Sequence, residues 1–265
     1  MQEAIEQELA ALGGHTSCIV IRGEKAAPSR VVSINPEQEY PAASLAKIPI
    51  LIEVARQVAA GQLAWEERYA VPQAARVPSA GVLADLAPDL RLTLHDLAHL
   101  MITISDNTAA NALLDLVGMD AVNAAMRDLG LTATRLERRF MDFAARQAGR
   151  DNWTTPADMS LALAHLCGES LPYAKEMLAI LLRQNDRTIL PAYWGEDIPF
   201  AHKTGGLEGI IHDAGILYPP QSPGIPLIIV AMTAGQADEP LTRYTLAHVG
   251  KIIYDEHLRW LRQAQ

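Results

Sequence analysis

The chain has 265 residues, with 31 Asp and Glu against 22 Lys and Arg, for a formal net charge of −9. Hydrophobic residues make up 49% and charged residues 20%, a balance that excludes bulk disorder and can fill a large core. The acidic excess argues against nucleic acid or an anionic membrane surface as principal partner, and no uninterrupted apolar run approaches the ~18 residues that a membrane span requires.

Residues 1–12 read as an amphipathic helix with Ile5, Leu9 and Leu12 on one face, ended by Gly13-Gly14. This start is acidic, with no basic n-region or apolar h-region, so it does not read as a signal peptide. The expected compartment is the cytoplasm as the sequence stands, or the periplasm or exterior if an export signal has been removed. Residues 16–22 and 30–34 read as strands of a hairpin around Lys25-Ala26-Ala27-Pro28. A long apolar helix follows over about 44–60, closed by Gly61. Thr93 with Asp96 three residues on marks another helix start. Further helices are predicted at 107–116, 119–129, 156–167 and 171–184. After residue 198 strands return at 200–204, 210–218 and 226–233, and a helix over 239–262 closes the chain. The two cysteines, Cys18 and Cys167, lie in apolar runs and read as free thiols rather than a disulfide.

This order predicts an α+β fold. Five strands from the two ends form one antiparallel sheet, covered by the N- and C-terminal helices, with an inserted all-α lobe. The expected division is a sheet lobe from 1–40 and 196–265 and a helical lobe from 41–195, with a cleft between them.

Three short motifs carry chemistry. In Ser44-Leu45-Ala46-Lys47 the two polar residues are three apart, one helical turn, so the amine can reach the hydroxyl. Serine needs a base beside it, and a lysine serves if apolar neighbours such as Ile48-Pro49-Ile50 lower its pKa. Ser105-Asp106-Asn107 joins two apolar helices; it suits a helix cap, and equally a proton relay (Ser105) beside an amide-binding side chain (Asn107). His202-Lys203-Thr204-Gly205-Gly206 reads as a strand whose glycines admit close approach, either of a ligand or at a turn.

S-x-x-K, S-D-N and K-T-G in this order form the signature set of the serine β-lactamases and penicillin-binding D,D-peptidases. The sequence resembles that superfamily, closest to class A, from about Thr16 to Arg259. The resemblance implies an α+β sandwich with an inserted α domain, a serine hydrolase working through an acyl-enzyme, and no cofactor. Its substrate would be a small β-lactam or a peptide-like amide or ester. Ser44 corresponds to the acylated nucleophile, Lys47 to its base or relay, Ser105 to the proton shuttle and Asn107 to the amide-binding residue. Lys203 and Thr204 correspond to the wall that receives a substrate carboxylate. The Ser44 and Gly206 N–H groups correspond to the oxyanion hole. No His/Cys cluster has metal-ligand spacing.

The sequence departs from class A in the loop that carries the deacylating base. Its flanks are recognisable in Thr134-Arg135-Leu136-Glu137-Arg138 and from Trp153 to Met159. Counting from Arg138, the family's glutamate falls on Phe140 and its asparagine on Ala144. Asp142 is the nearest substitute, and Glu137 is expected to pair with the following arginine. His212 falls where class A enzymes usually carry an arginine; it would bind a carboxylate only when protonated. Three readings stay open: a β-lactamase with slow deacylation, a peptidase-like amidase or esterase, and a non-catalytic penicillin sensor. The oligomeric state is left undetermined.

Overall fold

The structure, a computed structural model, describes residues 1–23, 29–78, 80–222 and 224–263. Its centre is a five-stranded antiparallel sheet in the order β2-β1-β9-β8-β7, built from β1 (His15–Arg22), β2 (Ser29–Ile34), β7 (Phe200–Leu207), β8 (Ile210–Leu217) and β9 (Leu227–Ala234). Pairing of the first strand with the last, from Cys18↔Ala231 to Arg22↔Leu227, closes the chain over the elements between them. The predicted 25–28 turn lies outside the described residues.

Alternation along each strand supplies two faces. Cys18 and Val20 of β1, with Ile229 and Ala231 of β9, pack against Ile5 and Leu9 of α1 (Gln2–Leu9) and Leu246, Val249 and Ile253 of α9 (Glu239–Gln263). Ile19, Val230 and Met232 join the opposite core with the helices of the chain's middle. Both faces being covered explains why β8 is buried at every position.

The middle of the chain holds two small ladders, β3 (Tyr40–Pro41) with β6 (Trp153–Thr154) and β4 (Arg68–Ala70) with β5 (Arg91–Thr93). Around them lie α2 (Lys47–Ala59), α3 (Leu94–Thr103), α4 (Asn107–Val117), α5 (Met119–Asp128), α6 (Phe143–Gln147), α7 (Pro156–Cys167) and α8 (Ala174–Leu181). Thr93 forms the predicted capping box with Asp96. Helix α2 is apolar nearly all round, and Ile48, Ile50, Leu51, Ile52 and Val54 are fully buried. Each such side chain contributes about 1.5–3 kcal/mol, so the helix that starts at Lys47 is rigidly held. The α-helix begins at Lys47 rather than at Ser44, because the chain first makes a tighter 3₁₀ turn over Ala43–Ala46. Both cysteines are free thiols, Cys18 buried and Cys167 partly so.

His212 and His257 are fully buried. Burial lowers each from an ordinary value of 6.5 to about 4, with Arg22 adding to the effect at His257. The unfolded chain therefore takes up the protons first. Stability is complete above about pH 6.5 and declines as pH falls towards 4. For His212 the loss at pH 4.5 is expected to be about 2–3 kcal/mol. Urea unfolding at pH 7 and 4.5 measures it, and His212→Gln, which cannot titrate, should flatten that share of the slope.

Candidate active site

Ser44, Lys47, Ser105 and Asn107 arrive from three elements and meet. Ser44 projects from the 3₁₀ turn and Lys47 from the first position of α2. Ser105 lies in the break between α3 and α4, and Asn107 opens α4. That break is shaped by Asp106, whose Oδ1 accepts the Ala109 N–H as a helix cap while its Oδ2 accepts the N–H groups of Val82 and Leu83. Gly81 is required there: a Cβ on it would stand 2.2 Å from Asp106 Oδ2. Ser105 sits at φ 57°, a left-handed conformation for a non-glycine residue, and this turns both its carbonyl and its hydroxyl to Lys47.

The geometry fixes the bonding of Lys47. Its Nζ donates to the Ser105 carbonyl at 2.8 Å and to Asn107 Oδ1 at 2.7 Å, both acceptors only. Ser44 Oγ stands 3.1 Å and Ser105 Oγ 2.9 Å from the same nitrogen, and the two hydroxyls are 2.9 Å apart. A neutral amine spends its two hydrogens on the carbonyls and presents its lone pair to the hydroxyls. Burial pushes the Lys47 pKa well below its ordinary value; the nearby Lys203 lowers it further and Asp106 opposes. The set can thus take the Ser44 proton directly or through Ser105.

Lys203, Thr204 and Gly206 lie on β7. Lys203 is fully buried, donates to the Thr204 carbonyl at 2.9 Å, and is lowered by burial to about 7 against the opposing pull of Asp213 and Asp186. Ser44 and Gly206 line a narrow cleft of about 70 Å³ together with Asn107 and Phe140. A larger cavity of about 220 Å³ lies beside Ala164, Cys167 and Ile228 and contains none of these groups. His202, the first residue of the same motif, pairs through Nδ1 with Asp213 Oδ1 at 2.8 Å inside the sheet.

Three expected residues meet other partners in the structure. Both ring nitrogens of His212 are taken by the backbone: the ring is buried, Nδ1 accepts the Thr233 N–H at 3.2 Å, and Nε2 is 2.9 Å from the Pro41 carbonyl. Asp142 is not among the described residues that line the cleft. Its Oδ1 caps α6 by accepting the Ala145 N–H at 2.9 Å. Glu137 pairs with Arg135 at 3.2 Å rather than with Arg138. Arg138 instead takes Asp151 at 2.6 Å.

Sequence reasoning missed the residues that hold the loop over 134–152. Asn111 both accepts from the Phe140 N–H and donates to its carbonyl, Asn152 Oδ1 accepts the N–H groups of Glu137 and Arg138, and Asp151 also binds Arg146. No local pattern marks these contacts, most of which join positions 13 to 29 residues apart. Together they seat Phe140, 6% exposed, with its ring centroid 4.8 Å from Lys47 Nζ.

The profile of the β-lactamase enzyme family matches residues 1–257. A β-lactamase of Streptomyces lavendulae is 30% identical over 263 residues, covering 92% of this chain and 82% of the relative. A solved β-lactamase of Sphaerobacter thermophilus is 33% identical with a TM-score of 0.84, covering 95% of both chains. The structure of PBP-A is 27% identical with a TM-score of 0.87, covering 97% of this chain and 96% of that one.

Replacing Lys47 by Ala should slow acylation of Ser44 by a p-nitrophenyl ester by ~10²–10⁴. In the unaltered protein, acylation should fall as pH drops through the depressed Lys47 pKa. Lys203→Met removes the neighbouring like charge, raises that pKa, and should move the acid limb of the pH–rate profile to higher pH.

Proposed function

The chain belongs to the β-lactamase enzyme family and is a serine-type hydrolase, and on that footing we propose that a β-lactam, or a related peptide-like amide or ester, acylates Ser44 and leaves slowly. The observation that carries the first part is the Ser44 hydroxyl within hydrogen-bond reach of a buried, low-pKa amine and of a second hydroxyl.

In this reading Ser44 Oγ attacks the carbonyl carbon as its proton passes to Lys47, directly or through Ser105. The developing oxyanion rests on the Ser44 and Gly206 N–H groups. Lys203 and Thr204 hold the substrate carboxylate, and Asn107 binds the substrate amide. Collapse breaks the carbon–nitrogen bond, and Ser105 relays the proton to the leaving nitrogen. The product is an ester on Ser44.

Slow release follows from Phe140. Hydrolysis of the ester requires an activated water. Among the described residues that line the cleft there is no Asp or Glu, and the Phe140 ring faces Lys47. A ring cannot polarise water, and it covers apolar surface where water would have to sit. That a mutant of PBP-A forms an acyl-enzyme with penicillin G supports acylation by the same class of compound here.

Incubation with nitrocefin and a fluorescent penicillin, followed by intact mass, tests the reading. A persistent adduct with little colour is expected. Fast colour would defeat slow release, and hydrolysis of a simple ester without any penicillin adduct would favour an esterase. Ser44→Ala should abolish labelling, and retained labelling would overturn the assignment. Phe140→Glu, which sets a carboxylate beside Lys47, should shorten the adduct lifetime, by up to ~10²–10⁴ if it serves fully as base. Asp142→Asn should leave that lifetime unchanged.

A further inference from the structure

His212 is a buried polar residue that the chemistry above does not use. It stands opposite Gly205 on β7 and Met232 on β9, in the middle of the sheet. Because a backbone N–H can only donate, the Thr233 N–H fixes Nδ1 of His212 as an acceptor. The ring's single proton is therefore on Nε2, which donates to the Pro41 carbonyl at 2.9 Å. The Tyr40 ring meets the imidazole edge-on, with centroids 5.7 Å apart, and its hydroxyl is held by Ser17 at 2.9 Å.

Pro41 lies three residues before Ser44. On its other side the same segment is tied to the loop: Pro41 pairs with Trp153, and the Ala42 N–H donates to the Asn152 carbonyl at 2.7 Å. Between this clamp and Ser44 sits Ala43 at φ 48°, a left-handed alanine. Such a residue costs about 1–3 kcal/mol and persists only when its surroundings dictate it. Gly205 makes room: a Cβ there would lie 3.3 Å from the Ala43 Cβ and 3.4 Å from the His212 Cβ.

We propose that His212 is a positioning residue for Ser44: by holding the Pro41 carbonyl to the sheet it keeps Ala43 left-handed and the Ser44 hydroxyl on Lys47 and Ser105. The inference rests on the reading of Ser44 as the acylated residue. Position 212 thus serves the nucleophile from behind rather than the substrate from in front.

Two variants separate the two hydrogen bonds of the ring. The amide of His212→Gln reaches the place of Nε2 and can still donate to the Pro41 carbonyl. The shorter amide of His212→Asn reaches only the place of Nδ1, so it keeps the Thr233 contact and loses Pro41. Positioning predicts that His212→Asn slows acylation by a fluorescent penicillin roughly 10- to 100-fold, the scale of an ångström misplacement. His212→Gln should stay within a few-fold of the unaltered protein at a matched melting temperature. Rates that follow the melting temperature in both variants, or no change in His212→Asn, would overturn the proposal. A crystal structure of His212→Asn decides it independently of penicillin chemistry. Ala43 leaving the left-handed region and Ser44 Oγ leaving Ser105 are expected, and an unmoved Ser44 refutes the role. If the unaltered protein takes no label, the Ser44 reading fails while this structural comparison still stands or falls alone.

Discussion

A primary amine buried among apolar residues loses the water that would stabilise its charge, and the site is organised around that loss at Lys47. Helix α2 has hardly any polar face, so its first residue is carried under cover with the rest. The second buried amine, Lys203, adds repulsion. An ammonium there would have to be neutralised at close range, whereas two carbonyls and two hydroxyls satisfy a neutral amine. Burial of the helix and activation of Ser44 are therefore one physical event.

The backbone around this amine is held in conformations that would not persist in isolation. Ala43 and Ser105, either side of the cleft, are both left-handed without being glycine. Each is braced by long-range partners. Asp106 anchors the chain after Ser105 to the 80–85 segment, and the Pro41–Ala42 segment is tied to β6 before Ala43. Strain at a reactive serine and at its neighbouring hydroxyl is tolerable because sheet and helices share a continuous core that cannot relax around them.

The 134–152 loop shows how a scaffold can be kept while its chemistry changes. Its staples, Arg138 with Asp151 and Asn111 with the Phe140 backbone, do not involve the side chain at position 140, so they hold the loop whatever that position carries. A phenyl ring there packs and shields, and does not move a proton. The nearest acid in sequence, Asp142, is drawn to the start of α6, where unpaired N–H groups offer a carboxylate a better partner than an open cleft does.

Periodicity and turn chemistry made most of the architecture legible. The sheet and its covering helices, the Thr93 cap and the run of α2 follow from local patterns that burial enforces, and the three motifs fall at the entry to α2, in the break between α3 and α4 and on β7. Local patterns could not settle what a side chain does once several partners compete for it. His212 and Asp142 both fell at positions suggestive of chemistry, yet each is claimed by a backbone group close in space, His212 by Pro41, 171 residues away, and Asp142 by Ala145 in its own loop. The tight entry to α2 and the staples at Asn111 and Asp151 were equally invisible. A hydrogen bond is decided by distance and direction, and those exist only after the whole chain has closed.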